Sequence, residues 1–347
     1  MGKKGYLIRL PWNHPTAPAT WTGTFTGVPN NGTKTVTLNN GGAGQRYNLV
    51  GNPYPSALNA DLFLSNTANQ SVIDGTLYFW THNTPMTNNN YTNSDYAIYN
   101  YLGGTGTVAA SSTGVNTSIP TGKIAAGQGF FVKALANGNA YFSNSMRVIA
   151  NNEQFYRTRN ESLVQPGSGF NRYWLDISNG SGAFKQMLIG YSTQATFGID
   201  RGFDSDYLNV GLPMALYSVL PTGEKLSIQG RPMPFDGSDR VPLGFTATSL
   251  DDFTIRLSSF EGLFLTQQIY LRDKYLQVYH DLKASDYYFR SPAGTFEDRF
   301  EIVYTNGVLS GPEFEHDNAL VLYNPDGTIR VLSTESMMTN NVGRKPL

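Results

Sequence analysis

The sequence predicts an all-β protein, with two consecutive antiparallel β-sandwich domains of jelly-roll or Ig-like type and a short C-terminal β-hairpin. Three observations carry this. Short apolar runs alternating with period two recur at roughly ten-residue spacing, separated by Gly, Pro, Asn and Asp turns. The chain holds 36 Gly, 21 Tyr and 20 Phe but only 15% charged residues, a mixture suited to pleated surfaces and turns. No helical apolar period runs beyond about two turns.

At 347 residues about two domains are expected, and 40% hydrophobic residues suffice for packed cores. A net charge of −1 gives no basic face for nucleic acid and no electrostatic grip on a membrane. The chain has no cysteine, so it has no disulfide, thiolate nucleophile or cysteine metal site. Bacterial surface proteins often do without disulfides, whereas small secreted animal domains rarely do. The opening Met1-Gly-Lys-Lys-Gly-Tyr-Leu-Ile-Arg-Leu-Pro11 has too short an apolar run for a signal peptide. No stretch approaches the ~20 apolar residues of a membrane span. The chain is expected to start within a strand, so its first residue is not the natural start of the fold.

The first domain is expected over 1–155. Strands are predicted at 6–10, 21–27 and 33–38, the last two joined by Pro29-Asn-Asn-Gly32. Tyr47-Asn-Leu-Val-Gly51 follows, stopped by Asn52-Pro-Tyr-Pro-Ser56, and Ser56 is expected to cap a helix to about Leu64 with Leu58, Leu62 and Phe63 on its apolar side. Strands are predicted at Gly75–Thr81, where Trp80 reads as core, and at Asp95–Asn100, with a polar loop at 83–93 between them. Gly103–Ile119 reads as a surface loop. Phe130–Leu135 and Ala140–Phe142 flank Asn137-Gly138, which predicts a hairpin with a type I′ turn.

A linker is expected over 151–171. The second domain, 168–310, opens with strands 172–178 and 184–191 joined across Asn179-Gly-Ser-Gly182. Further strands are predicted at 214–219, 224–229, 241–247, 253–260, 268–272, 276–279, 287–290 and 299–304. In the last segment, 311–347, Asn318–Tyr323 and Thr328–Leu332 form a hairpin about Asn324-Pro-Asp-Gly327, followed by a tail from Thr339.

The chemistry-bearing residues are sparse. His14, His82, His280 and His316 lack zinc-site spacing, and His280-Asp281 reads as structural. There is no nucleophile elbow, phosphate loop or dinucleotide fingerprint. The carboxylate pairs Asp204/Asp206, Asp251/Asp252 and Glu297/Asp298 have the composition of a glycosidase pair but sit in turn-like contexts, so no enzyme activity is expected. Asp200, Asp204 and Asp206 share one Gly-containing loop and could supply oxygen ligands to calcium. The spacing is not that of an EF-hand and Arg201 sits within it, so the same loop also reads as an acidic connector. No other cofactor is expected. Trp12, in a loop beside Pro11, and Tyr91 are the candidate glycan contacts, since sugar sites on sandwiches use exposed aromatics.

Ala126-Gly-Gln-Gly-Phe-Phe-Val132, Tyr47–Ser56, Gly75–His82, Tyr270–Leu282, Tyr287-Tyr-Phe289 and Gly294–Phe300 resemble the C-terminal regions of large adhesin-like surface proteins of Bacteroidetes, especially flavobacteria. The resemblance covers roughly 5–335. It implies export of a longer protein by the type IX secretion system, with any signal peptide upstream, and a secreted or cell-surface location. Asn318–Leu332 resembles the first hairpin of the family's C-terminal sorting domain, whose remaining strands are missing here apart from a trace at Gly343-Arg344. The family brings no catalytic residues. The resulting expectation is a non-enzymatic structural or adhesive segment, a spacer or binding module, whose partners are surface glycans or other surface proteins together with the secretion machinery. No nucleic-acid partner and no membrane span are expected. The second reading is a carbohydrate-binding module of a secreted polysaccharide-degrading enzyme.

Overall fold

The computed structural model describes residues 26–81, 96–107, 119–149, 169–208 and 213–306, isolated positions 13 and 24, and the strand backbones at 86–87, 90–91, 319–323 and 329–333. Two compact units are present, Met1–Asn306 and Gly307–Leu347. The strand expected at 6–10, most of that expected at 21–27, most of the 151–171 linker and the tail from Thr339 lie outside the described residues.

The architecture is all-β. The first unit opens with β1 (Lys34–Leu38), β2 (Tyr47–Gly51), β3 (Ile73–Trp80), β4 (Tyr96–Asn100), β5 (Gly103–Thr105), β6 (Gly129–Ala134) and β7 (Gly138–Phe142). Five of these form an antiparallel sheet in the order β2-β6-β3-β4-β5. One face packs Leu77, Phe79, Ala97, Tyr99, Phe130 and Val132 into a core closed by β1, β7 and the short helix α1 (Ala60–Leu64). The helix forms because the Asn59 side chain accepts from the Asp61 and Leu62 amides. Asn59, not Ser56, is therefore the cap, and Phe63 and Leu64 are buried while Leu62 faces outward.

The Asn137-Gly138 hairpin is not formed. β6 pairs with β2 and β3, whereas β7 pairs with β1 in a separate two-stranded sheet. Neither Asn137 nor Gly138 has the positive φ that a type I′ turn needs. Instead the Asn137 side chain accepts from the Asn40 amide, and the Leu135 amide donates to the Val72 carbonyl, so the chain turns a corner between sheets. A Cβ at Gly138 would meet Val72 at 2.5 Å, so glycine is required by close approach rather than by turn geometry.

The second sheet comprises β8 (Asn171–Asn179), β9 (Phe184–Ser192), β10 (Met214–Val219), β11 (Lys225–Pro232), β12 (Arg240–Ala247), β13 (Asp251–Glu261), β14 (Tyr270–Asp273), β15 (Val278–Asp281), β16 (Tyr287–Ser291) and β17 (Gly294–Val303). Their order is β15-β14-β17-β12-β10-β11-β9-β8-β13-β16, with the two-residue strand Ser205–Asp206 added beside β11. Pairing is antiparallel except between β9 and β11, which run parallel. Asn179–Gly182 makes the predicted hairpin, with Ser178 opposite Phe184.

This sheet curls into a nearly closed barrel. Its inner face carries Tyr173, Leu175, Ile177, Met187, Ile189, Leu216, Leu243, Phe245, Ile255, Phe289 and Phe300 in one core. Edge strand β16 reaches across to the opposite edge. The Tyr287 hydroxyl donates to Asp273 of β14 at 2.9 Å, and the Tyr287 ring lies 5.2 Å from His280 of β15. Arg299 adds two N–H bonds to the same Asp273 oxygen, at 3.1 and 2.8 Å, while stacked over Phe289 and Phe300. Side chains thus close the edges that the backbone leaves open. In the second unit, strands β18 (Ala319–Tyr323) and β19 (Ile329–Ser333) pair antiparallel, as the 318–332 segment predicts.

Candidate functional site

Period-two alternation gives the first sheet a second buried face. Tyr78 of β3 and Ile98 of β4 point away from their own core. With Leu102 they meet Trp174, Leu188 and Ile228 on the outer face of the barrel, forming a third apolar cluster. Here the five-stranded sheet and the barrel are seamed together.

Polar groups fix the seam. The Trp174 indole N–H donates to the Gly104 carbonyl at 2.8 Å. Arg172 lies against the Trp174 ring and donates to the Leu102 carbonyl. The Gly106 amide donates to Gln186 at 2.9 Å, and Gln186 in turn donates to Asp176 at 2.7 Å. Gly103–Thr105 is accordingly a buried strand rather than part of a surface loop, and the rest of that expected loop, 108–118, lies outside the described residues.

The loop holding the expected calcium ligands is the main strap of the seam. Arg201 donates from Nε to the Ile73 carbonyl at 2.8 Å and reaches the Leu64 carbonyl at 3.3 Å. The Tyr101 amide donates to the Gly202 carbonyl at 2.9 Å. Thr76 and Asn100 both bond the Ser205 hydroxyl at 3.0 Å. Gly75 and Gly202 stand backbone to backbone, where a Cβ on Gly75 would lie 2.5 Å from the Gly202 nitrogen.

The three aspartates point to different partners. Asp200 accepts from the Thr196 amide and hydroxyl. Buried Asp204 accepts from the Asp200 amide at 2.6 Å and the Gly230 amide at 2.8 Å. Asp206 pairs with Lys133 of β6. Among the described residues no group of three or more His, Asp or Glu side chains is arranged to hold a metal. Burial raises Asp204 to about 7 against the two amides that favour its charged form. Burial likewise raises Asp74, on β3 beside this strap, to about 7, opposed by the Thr76 amide and Lys133.

The remaining carboxylate candidates are engaged singly. Asp251 accepts from Asn179, Asp252 pairs with Arg290, Glu297 pairs with Lys225, and Asp298 accepts from Tyr275. His280 bonds the Ser285 carbonyl at 2.8 Å. Trp12 and the Tyr91 side chain lie outside the described residues, although the backbone of Asn90–Tyr91 pairs with Met86–Thr87. Trp80 is half-buried rather than core.

An open groove of about 510 Å³ lies on the first sheet's side, lined by Pro55, Ser56, Ala57, Asn144, Arg147, Val148 and Ile149. Arg147 donates from Nε to the Ser56 hydroxyl at 3.0 Å and stacks over Tyr54. No local sequence signal marks Arg147 or Trp174. Gly75 did carry one, since glycine in strand-like sequence marks close backbone approach.

A family model described as "Domain of unknown function (DUF8693)" matches residues 1–304, and the chain belongs to that family. The match ends close to Asn306, the last residue of the first compact unit. No curated protein and no solved structure matches the chain.

Proposed function

We propose that this member of the family is a non-enzymatic structural and adhesive segment of a bacterial secreted or cell-surface protein. In this reading it acts as a stiff spacer that also presents binding surfaces, in a longer protein exported by type IX machinery. The seam is the observation that carries it. A spacer must resist bending between its layers, and here strap 196–206 bonds main-chain groups of the first sheet while packed on the barrel. The low charged fraction of 15% supports it too, because an uncharged polar surface limits nonspecific association. Among the described residues no helix is long and apolar enough to cross a membrane.

The test is an immunoblot of fractionated source cells with antibody raised to residues 173–304. A band far above 38.2 kDa at the surface or in the medium is expected. A 38.2 kDa band confined to the cytoplasm would overturn the reading.

A carbohydrate-binding module is the second reading, and the groove beside Arg147 favours it. The groove brings an amide, a hydroxyl and a guanidinium together at Asn144, Ser56 and Arg147. Glycan-array signal lost in Asn144→Ala would establish that module, and an array without signal would remove it.

A further inference from the structure

We infer that the outer face of β12, β17 and β14 binds an acidic polysaccharide through Arg240, Arg272 and Lys274. This rests on the surface role above and names its ligand class.

Glu301 lies on the central strand of the three, between Phe300 and Ile302 of the barrel core, so its side chain faces outward. Arg240 reaches it from β12 at 2.8 Å and Arg272 from β14 at 2.9 Å, both on the same carboxylate oxygen. Lys274 lies 3.6 Å from the other oxygen. Three cations therefore share one anion, and about two positive charges remain uncompensated there. In a chain with 25 Lys and Arg against 26 Asp and Glu, that is a marked local excess.

The layering sets what can bind. Glu301 is 8% exposed, beneath Arg240 at 57%, Lys274 at 33% and Arg272 at 26%. An arriving ligand meets cations first and the carboxylate last. Arg272 keeps a buried Nε–H with no partner, over the Tyr279 ring. Tyr279, whose ring lies 5.3 Å from the Arg272 guanidinium, supplies an aromatic surface beside the charges.

The three cations converge from neighbouring strands. β12 and β14 flank β17, so their arginine backbones stand about 10 Å apart, and Lys274 lies about 7 Å along the strand from Arg272. Their charged heads nevertheless meet on one carboxylate, so the positive charge left after Glu301 is matched suits closely repeated negative groups along a sugar chain. A tyrosine ring beside clustered cations matches sugar rings bearing carboxylate or sulfate groups. Nucleic acid is disfavoured by the chain's net charge of −1.

The test titrates the full chain with polygalacturonate, heparin, neutral dextran and poly-glutamate by isothermal calorimetry. Binding to polygalacturonate or heparin is expected, lost as salt rises from about 0.05 to about 0.5 M, because such contacts are screened. Arg240→Ala combined with Lys274→Ala should weaken binding roughly tenfold or more. Glu301→Gln should tighten it, whereas a purely structural ion cluster gains nothing from that change. If Glu301→Gln fails to fold, the exposed Arg240 and Lys274 variants still decide.

No binding, unchanged affinity in the double variant, equal binding to dextran, or preference for poly-glutamate would each overturn the proposal. The preference for poly-glutamate would assign the face to an acidic protein. A cytoplasmic band in the fractionation experiment would remove the surface role and leave the binding result standing, so the two failures are distinguishable.

Discussion

In the barrel interior aromatic rings hold the strands together. Phe245 lies within 6.2 Å, centroid to centroid, of Phe253, Phe289, Phe296 and Phe300. The carboxylate there, Asp273, is matched to Arg299 and a tyrosine hydroxyl. At the seam a small apolar cluster is flanked by hydroxyls, amides and carboxyls that burial has pushed toward neutrality. One region matches its carboxylate with a full opposite charge, and the other holds Asp74 and Asp204 near 7 by burial. Two layers of one compact unit should therefore respond differently to truncation and in opposite senses to pH.

The largest effect should come from the interior. Phe245→Ala removes a ring fully enclosed by others and should cost about 3–5 kcal/mol in urea denaturation. A loss under about 1 kcal/mol would mean that the closure is looser than its ring packing implies.

The seam should be cheaper to damage. Trp174→Phe keeps most of the apolar contact with Leu102 and Leu188 but leaves the Gly104 carbonyl unbonded. The expected loss is about 1–3 kcal/mol by the same measurement. A loss equal to that of Phe245→Ala would erase the contrast between the regions.

Acidity should separate them more sharply. Asp74 and Asp204 have folded pKa values near 7, above their unfolded values, so between about pH 4 and 7 the folded state binds more protons than the unfolded one. Their contribution to stability is therefore favourable in mild acid and falls as pH rises to 7. Asp273 runs the other way. Burial raises its pKa, but Arg299 and Tyr287 outweigh that and hold it below the usual value. Its contribution is present above the unfolded pKa and lost as pH falls through the lower folded one. Asp74→Asn, which keeps an acceptor for the Thr76 amide, should remove about a third of the seam's pH slope between 4 and 7, since burial also raises Asp176 to about 6. An unchanged slope would show that Asp74 ionises freely.

The smallest effect belongs to the exposed pair Arg290–Asp252, with side chains 63% and 71% exposed. Arg290→Ala should change stability by less than about 1 kcal/mol. By contrast, removing Arg299 would strand Asp273 without its partner inside the barrel.

What the sequence discloses follows the reach of the interactions. Asn179–Gly182 joins strands that pair with each other, so a local turn signal suffices. Asn137-Gly138 carries an equally strong local signal, yet its flanking strands find partners roughly 50 to 110 residues away, and those contacts override the turn. The Ile73–Trp80 run reads as buried because both of its faces are covered, but periodicity does not say that the second cover is another sheet. Asp200, Asp204 and Asp206 were visible as a carboxylate group. Their partners, Thr196, the Gly230 amide and Lys133, were not, since strand pairing brings Gly230 close and packing of one sheet on the other brings Lys133.

The seam also bears on how such a chain is inherited. A gene fragment encoding only the barrel would leave Trp174, Leu188 and Ile228 bare to water, and one encoding only the first sheet would do the same to Tyr78 and Ile98. Recombination that moves either layer alone yields a sticky product, so both layers must travel as one cassette. Variation between descendants is then free chiefly on the outward strand faces, where the Arg240 cluster lies.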